Sequence, residues 1–562
     1  MSDGVDSLAE DEKMTEEEVQ ELIQKHPHLE KYLKNIEVKM KQPEFYKKVP
    51  KSKEDEKFPN FIYTTKGSVF IHIYRLPEMD ELLYQAIEPE LDDDAEKKFK
   101  DMLKLIVKKA PEKESAVSDD ELKETFTELM DEIVIVDENA SSYEPLVKKG
   151  LFNKEKMATK IKATAAQKEA MKYSLIKEQI GGGPLEPFMR DVNLEDIHII
   201  AGENVHAIHK VFDMIKTNIL IPKDESFNFA RKLSEKMGAA VSEAQPIVDA
   251  TMPDGSRGNL IYPESISLKG PSITIRKFAE TPISITQIIN WGTLSSGIGA
   301  YLWIALQYGR SFFVCGETAS GKTTTTNAVI PFIPPDKKVY TAENTPELHV
   351  PHTVWQQLLT RTADTEEGSV DLFDLLKAAL RSRPDYIIPG ETRGAEGSVV
   401  FQAMQTGHPC ITTFHAGSVT KVIQRFTGDP INVPKSFMDN LDFVLIQMAV
   451  ERKGQKLRRV LSVDEIEGYN KAVDGVMSRT AFEWKSADDQ HLFRANRNSY
   501  ILEDRIAKTA GFEDPAEIYE EYELRKHILE RMVEEQIFDY YEVCQFIWTF
   551  YREGIEALPI SI

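Results

Sequence analysis

A short run of glycine, lysine and hydroxyl residues near the middle of the chain has the spacing of a phosphate-binding loop. Residues 316–323 have the sequence GETASGKT, which matches GxxxxGK[ST], and they lie between the apolar run SFFVC and the segment TTTTNAVIPFI. Glycine at the first and sixth positions lets successive backbone N–H groups point at phosphate oxygens, at the positive end of a helix. The run therefore predicts a nucleotide-binding loop between a strand and a helix.

The last residues of this loop can bind the phosphates and a metal ion through their side chains. Lys322 would compensate the charge of the β- and γ-phosphates, and the hydroxyl of Thr323 would bind Mg²⁺, which bridges them. Cys315, just before the loop, is more typical of a buried strand residue than of a redox switch. We expect ATP and Mg²⁺ as cofactors, with contacts from Gly316, Glu317, Thr318, Ala319, Ser320, Gly321, Lys322, Thr323 and Thr324.

Two acidic segments downstream could supply the carboxylates that phosphate chemistry needs. Glu343 and Glu347 lie in YTAENTPE, and Glu391 lies in RSRPDYIIPGETR; each segment contains or follows an apolar, strand-like run. An isolated glutamate after a strand is more often a surface or capping carboxylate. Here, however, two such segments accompany a phosphate loop, and the carboxyl ends of parallel strands meet at the edge where α/β proteins bind ligands. We expect these carboxylates to meet the loop, where one could activate a water molecule.

Two histidines, His408 and His415, flank the apolar run CITTF. Either one alone is more often a structural histidine than a functional one. Their place at the end of the sheet that carries the phosphate loop makes γ-phosphate sensing or domain coupling an equally good interpretation. No third ligand follows at metal-site spacing, which argues against a metal held by the two histidines.

The elements that must position these residues alternate regularly. The strand-like runs SFFVC, KVYTAE, YIIPGE and CITTFH are separated by amphipathic helical segments, which predicts an α/β fold with a parallel sheet flanked by helices. Upstream, Thr15–Glu18 and Ser118–Glu121 have the pattern of helix capping boxes, and residues 58–74 that of a β pair. The expected domains are a helical acidic region with this β pair (1–150), an α+β domain (151–280), the α/β domain (281–490) and a helical C-terminal region (491–562).

Composition excludes several classes of protein. The formal charge is −23 and the pI about 5.1, and residues 1–150 contain 37 acidic and 23 basic side chains; an acidic chain of this kind is a poor partner for nucleic acid. Three widely spaced cysteines indicate neither a disulfide framework nor a zinc site and fit a reducing compartment. The acidic start and the absence of a run of 18 apolar residues predict a cytoplasmic protein with no membrane span.

Taken in order along the chain, GETASGKT, ENTPE, RPDYIIPGETRG and TGHPCITTFHAGS resemble the motifs of the type II/IV secretion ATPase superfamily. The resemblance continues upstream through GPLEPF, PDGSR and GPSITIRKF and covers roughly residues 170–470. Within the superfamily the chain is most similar to the archaeal branch, and the runs FPNFIY, YQAIEPEL and FIWTFYREG resemble archaellum motor ATPases.

The resemblance implies a RecA-like P-loop NTPase domain behind an N-terminal regulatory domain, with nucleotide between the two and six subunits in a ring. Arg257 and Arg276 match arginines that reach the phosphates from the first domain, a task suited to a permanently charged group that binds two oxygens. Glu391 matches the Walker B glutamate that, with Thr323, holds Mg²⁺. Glu347 matches the water-activating glutamate, with Glu343 as second choice. His408 and His415 match the family's histidine box.

The function implied is that of an ATP-hydrolysing hexameric motor that powers assembly or rotation of an archaellum or type IV pilus-like filament. The implied partners are a polytopic membrane platform protein, accessory cytoplasmic motor subunits and the membrane lipid surface, with the chain at the inner face of the cell membrane and a hinge at residues 278–283. Alternatives are the ATPase of an archaeal adhesive pilus, of a type II/IV secretion system or of a DNA-transfer system. A nucleotide-binding adaptor without turnover is the alternative of another class.

Three positions depart from the family pattern. Asn344 stands where aspartate is usual, which removes a charge and leaves Glu347 the more exposed carboxylate of its segment. Pro389 lies in the Walker B strand and cannot donate to a sheet, so the end of that strand is expected to be irregular. The tetracysteine zinc motif of many bacterial members is missing, which argues against a bacterial type II export role.

Overall fold

The computed structural model describes residues 13–37, 40–50, 53, 56–65, 67–78, 81–110, 119–140, 142–144, 147–149, 155–157, 159–278, 281–361, 368–452 and 455–560. These residues form two compact units, which divide after Phe278. The four-part division at residues 150, 280 and 490 stays a prediction. Ser118, the expected cap of the second capping box, and part of the expected hinge lie outside the described residues.

The first unit contains seven α-helices and fourteen strands among its described residues. In chain order they are α1 Glu16–Lys25, α2 Pro27–Ile36, β1 Glu44–Tyr46, β2 Asn60–Thr64, β3 Phe70–Tyr74, β4 Leu83–Ile87, α3 Asp93–Lys109, α4 Asp119–Ile133, β5 Val134–Val136, β6 Val147–Lys149, β7 Glu155–Met157, β8 Ile161–Ala163, α5 Ala165–Gln179, α6 Glu186–Arg190, β9 Leu194–Ile200, β10 Asn204–His209, β11 Asp213–Leu220, α7 Lys223–Lys236, β12 Ile247–Thr251, β13 Arg257–Ile261 and β14 Ser272–Arg276.

A ten-stranded sheet in the order β1-β2-β3-β4-β11-β10-β9-β14-β13-β12 forms the centre of the first unit. The expected β pair is present as β2 and β3, which pair antiparallel with Phe61 opposite Ile73. It is part of the larger sheet, because β4 pairs in parallel with β11. The capping box at Thr15 is confirmed: its side chain accepts the N–H of Glu18, whose carboxylate accepts the N–H of Thr15.

The second unit contains nine α-helices and ten strands among its described residues, and a π-helix at Tyr500–Ala507. They are α8 Ile285–Asn290, α9 Ser296–Gln307, β15 Phe312–Cys315, α10 Lys322–Val329, β16 Val339–Glu343, β17 Trp355–Leu359, α11 Leu372–Ser382, β18 Tyr386–Pro389, β19 Glu391–Thr392, α12 Glu396–Gln405, β20 Ile411–Phe414, α13 Val419–Thr427, β21 Phe443–Arg452, β22 Gln455–Asn470, β23 Gly475–Lys485, β24 Gln490–Phe493, α14 Lys508–Ala510, α15 Ile518–Glu534 and α16 Tyr540–Glu553.

The parallel sheet flanked by helices, expected from the alternation of strands and helices, is confirmed. Strand β15 lies between the parallel strands β20 and β21, and β16 lies between the parallel strands β17 and β18 in a separate sheet, which an isolated parallel bridge between Ile387 and Cys410 connects to the first. Every residue of β15, β18 and β20 is buried, as is usual for strands covered on both faces. Antiparallel strands β22–β24 extend the sheet beyond β21.

The expected irregularity at Pro389 is also confirmed. Strand β18 ends at this residue, and after Gly390 the chain continues as β19, which pairs with β20 of the other sheet instead of β16. The strand therefore breaks at the point where the proline lacks an N–H group. The break places Glu391 beside β20.

The expected helical C-terminal segment packs against the core of the second unit. Residues of α15 and α16 share a hydrophobic cluster with α9 and β15. Two side chains of α16 also fix the backbone just beyond α10, since the indole of Trp548 donates to the carbonyl of Pro331 and the hydroxyl of Tyr551 donates to that of Phe332. Within the described parts of the chain, none of the helices has the length and apolar character needed to cross a bilayer.

Candidate active site

The loop of residues 316–323 joins β15 to α10, as the sequence predicts. A Cβ atom on Gly316 would lie 2.0 Å from the carbonyl oxygen of Gln447, so no larger residue fits there without a backbone shift. Ala319 and Gly321 have positive φ values, 61° and 90°, which turn the chain back on itself before the helix. The loop thus has the curvature that a cradle of backbone N–H groups requires.

Lys322 is the first residue of α10 and is largely buried. Its ammonium group donates to the carbonyl oxygen of Glu317 at 2.8 Å, within the loop. Burial lowers the pKa of Lys322, and the charges of Glu391 and, more weakly, Glu347 oppose that shift. Both predicted carboxylates therefore act electrostatically on the lysine.

Gln447 holds the loop in place, although the sequence analysis did not select it. Its side-chain amide donates to the carbonyl of Ser320 at 2.8 Å and accepts the hydroxyl of Thr325 at 2.7 Å. The residue is almost fully buried and follows a register break in β21 between Ile446 and Gln447. The signal in the sequence is a single glutamine inside the apolar run FVLIQMAV.

Glu343 ends β16 and shapes the turn that carries Glu347. Its Oε1 accepts the backbone N–H groups of Glu347 at 2.8 Å and Leu348 at 2.9 Å, and its Oε2 lies 3.4 Å from the amide nitrogen of Gln357. Burial raises the pKa of Glu343 to about 7, against the lowering effect of these donors. The oxygens of Glu343 are therefore occupied within the turn.

Glu347 differs from Glu343 in both exposure and contacts. Its side chain is exposed, and no hydrogen bond reaches its carboxylate from the residues that the structure describes. Its backbone lies beside α10, because the side-chain amide of Asn327 donates to the carbonyl of Glu347 at 2.8 Å. The geometry thus supports Glu347, ahead of Glu343, as the group free to act on a water molecule.

Glu391 begins β19 and faces His415 at the end of β20. The Nε2 atom of His415 lies 2.8 Å from Oε1 of Glu391, and the guanidinium of Arg393 donates to Oε2. The close histidine contact lacks hydrogen-bond alignment, since Oε1 is buried and accepts no hydrogen bond from the described residues. Burial, together with the charge of Lys322, lowers the pKa of His415 although Glu391 favours its protonation.

The donor set fits a magnesium ion. Mg²⁺ takes oxygen ligands and keeps several waters, usually with one or two carboxylates. The buried Oε1 of Glu391 is an acceptor without a hydrogen bond from the described residues, and the hydroxyl of Thr323 is half-buried in the first turn of α10. These two residues could hold the ion directly or through its waters.

The ends of β16 and β18 meet at this site. The N–H of Gly390 donates to the carbonyl of Ala342, and a Cβ atom on Gly390 would lie 3.1 Å from the Cγ of Glu343. A cavity of about 390 Å³ opens between Glu391 and Asn344. The substitution of asparagine for the usual aspartate therefore places a neutral amide in the wall of this cavity.

One positional expectation is wrong. Both histidines were expected at the edge of the sheet that carries the phosphate loop, but only His415 is there. Strand β20 runs parallel to β15, with Ile411 beside Phe312 and Phe414 beside Cys315. His408 precedes β20 and lies at the opposite edge, with its Nδ1 3.1 Å from the hydroxyl of Thr406. A functional role for His408 stays a prediction.

Arg257 and Arg276 belong to the first unit, where they are paired residues of β13 and β14. Arg257 makes a two-point contact with Asp249, at 2.8 and 2.6 Å, and Arg276 donates to Asp196 at 3.3 Å. Both side chains are exposed. Their contact with a nucleotide stays a prediction.

Comparison with known proteins gives matches over most of the chain. The family model described as Type II/IV secretion system protein matches residues 189–527. An uncharacterized protein of Methanocaldococcus jannaschii is 49% identical over 554 residues, which are 98% of this chain and 99% of that protein. The type IV secretion system protein VirB11 of Bartonella henselae is 28% identical over 283 residues, which are 43% of this chain and 78% of its own.

Among solved structures, the pilus retraction motor PilT with bound ADP is 22% identical, and the match covers 50% of this chain and 81% of that one. Its TM-score is 0.39, so this likeness adds nothing to the family match.

Proposed function

The chain belongs to the type II/IV secretion system protein family, and from that premise we propose that it is an ATP-hydrolysing motor. One observation carries the proposal: the glycine-shaped loop with the buried Lys322, the segment with Glu347 and Glu391 each follow the carboxyl end of a parallel strand, β15, β16 and β18 in turn. The carboxyl ends of parallel strands are where α/β proteins bind their ligands.

In the proposed reaction, the backbone of the loop binds the phosphates and Lys322 exchanges the carbonyl of Glu317 for phosphate oxygens. A bound Mg²⁺, held by Thr323 and Glu391, would offset the charge that develops on the β–γ bridge. Glu347 orients a water molecule and accepts its proton as the water oxygen bonds to the γ-phosphorus. The bond between that phosphorus and the bridging oxygen breaks, which yields ADP and phosphate.

We propose further that ATP hydrolysis by this chain drives mechanical movement. Arg257 and Arg276 would leave Asp249 and Asp196 to meet the nucleotide when the two units close on it. Six subunits in a ring, closing in turn, would displace a polytopic membrane protein and so drive assembly or rotation of an archaellum or type IV pilus-like filament. The chain would act in the cytoplasm at the inner face of the membrane, with accessory motor subunits and the lipid surface as further partners.

A secretion or DNA-transfer machine is the second candidate. The relatives named for type IV secretion and conjugal transfer favour it, although they match less than half of this chain. Hydrolysis stimulated by single-stranded DNA would support DNA transfer. Hydrolysis stimulated by lipid vesicles and indifferent to DNA would support the filament motor.

The test is phosphate release from Mg-ATP by the purified full-length chain. We expect Lys322→Ala to lose nucleotide binding and hydrolysis, and Glu391→Gln to bind nucleotide but release almost no phosphate. Lys338→Ala is the matched control, since the ammonium of Lys338 also donates to a backbone carbonyl, that of Ser382, near the amino end of β16. Wild-type phosphate release by either site variant would overturn the proposal.

A further inference from the structure

Asn327 connects the helix of the phosphate loop to the segment that carries Glu347. It lies on α10, and its side chain is buried. Its amide nitrogen donates to the carbonyl of Glu347 at 2.8 Å, and its amide oxygen accepts the N–H of His349 at 2.9 Å. One side chain therefore binds the backbone on both sides of Leu348.

These contacts complete the fixation of a short segment. Glu343 already accepts the N–H groups of Glu347 and Leu348, and the buried side chain of Leu348 packs in the core. The hydroxyl of Tyr540, at the start of α16, donates to the carbonyl of His349 at 3.1 Å. The backbone of residues 347–349 is thus fixed by hydrogen bonds, while the carboxylate of Glu347 is exposed.

The helix makes this connection a short and stiff one. Asn327 lies five residues after Lys322, a distance of about 7.5 Å along an α-helix. Strand β16 and the turn at Glu343 fix one end of the segment. Asn327 connects the segment by hydrogen bonds to α10, the helix that begins at the phosphate loop. Any displacement of this contact changes the distance between Glu347 and the place where the γ-phosphate would lie.

We propose that Asn327 is a positioning residue for ATP hydrolysis, which holds Glu347 at the distance from the phosphate loop that attack by water requires. The inference rests on the proposed function. A purely structural role would predict a loss of thermal stability alone. A positioning role predicts in addition a loss of turnover without a loss of nucleotide affinity, because the misplaced group acts on the water and not on the nucleotide.

The experiment compares full-length wild type with Asn327→Ala and Asn327→Asp. For Asn327→Ala we expect kcat to fall about 10- to 100-fold, with KM for ATP and the Kd for a fluorescent ADP analogue unchanged within about twofold. The aspartate keeps an acceptor for the N–H of His349, but only its protonated form can donate to the carbonyl of Glu347. The ratio of its kcat to that of wild type should therefore rise as the pH falls, which a structural role does not predict.

Asn218→Ala is the control for the loss of a two-point amide contact. Asn218, in the first unit, accepts the N–H of Ala86 and donates to its carbonyl, the same pair of contacts on a more exposed side chain. We expect its kcat to equal that of wild type.

Wild-type kcat in Asn327→Ala would overturn the inference. The inference would also be overturned if Asn327→Ala lost kcat and ADP affinity to the same extent while the ratio of the kcat of Asn327→Asp to that of wild type did not change with pH. Glu347→Gln in the same assay distinguishes the proposed role of Glu347 from that of Asn327. If Glu347→Gln hydrolyses ATP normally, the proposed role of Glu347 fails; if it is inactive while Asn327→Ala is normal, only the inference fails.

Discussion

Replacement of Gln447 by leucine would test how the phosphate loop is held. Leucine has a similar size but removes both amide contacts, so the carbonyl of Ser320 and the hydroxyl of Thr325 lose their partner. Both residues are buried, and a buried polar group left without a partner costs about 1–3 kcal/mol. Two such groups lower the free energy of unfolding by about 2–6 kcal/mol, and the destabilised residues are those of the loop and the start of α10.

Two measurements follow from this value. A loss of about 2 kcal/mol or more lowers the Tm of a unit of this size by at least about 3 °C. A loop that must be ordered again before it binds nucleotide also has a weaker affinity, and each 1.4 kcal/mol spent in this way is a factor of about ten in Kd. We expect titration with a fluorescent ATP analogue to show binding at least about tenfold weaker.

Gln307→Leu is the control for Gln447→Leu. Gln307 accepts a hydrogen bond from Arg525 in the same unit, at 2.6 Å, and has no contact with the loop among the described residues. Its loss should lower the Tm and leave nucleotide affinity unchanged. If Gln447→Leu also loses stability but binds the ATP analogue as tightly as wild type, Gln447 does not order the loop for nucleotide binding.

Three further predictions follow from the same site. Gly316→Ala places a Cβ atom 2.0 Å from the carbonyl of Gln447, so it should abolish binding of the ATP analogue in the same titration; retained binding would contradict the loop geometry. Burial raises the pKa of Glu343 to about 7 from 4.5, so the folded chain holds an extra proton in this range and loses stability as the pH rises through it. Calorimetry should therefore show that Glu343→Gln gains up to about 3 kcal/mol relative to wild type between pH 5 and pH 8, and an unchanged difference would count against a buried, protonated Glu343. Tyr540→Phe removes the hydroxyl that donates to His349, so we expect kcat to fall about two- to fivefold with KM unchanged, whereas a change in KM alone would place Tyr540 outside the positioning network.

The sequence predicted those parts of the site that are encoded locally. The spacing of the loop, the strands on either side of it and the break at Pro389 depend on a few adjacent residues, so pattern and chemistry sufficed. The order of Glu347 before Glu343 came instead from the family resemblance, and the exposed side chain of Glu347 and the occupied oxygens of Glu343 agree with it.

Contacts between distant segments could not be predicted in this way. Gln447 reaches Ser320 across 127 residues, and a register break in β21 precedes it. Strand β4 pairs with β11 in the sheet of the first unit. Between these strands, the N–H of Ala86 donates to Asn218, which lies 132 residues further along the chain. The position of His408 was wrong for a simpler reason: a residue that precedes a parallel strand lies at its amino end, whereas the phosphate loop follows the carboxyl end of β15.

A crystal structure of the full-length chain with Mg²⁺ and a non-hydrolysable ATP analogue would show whether the loop and the two carboxylates form one ATPase site. We expect the triphosphate inside the curve of residues 316–323, with the ammonium of Lys322 on the β- and γ-phosphates and the carboxylate of Glu347 facing the γ-phosphate. A triphosphate bound elsewhere would rule out the proposed ATPase site, and so would a triphosphate in the loop with Glu347 and Glu391 both turned away from the γ-phosphate and the metal.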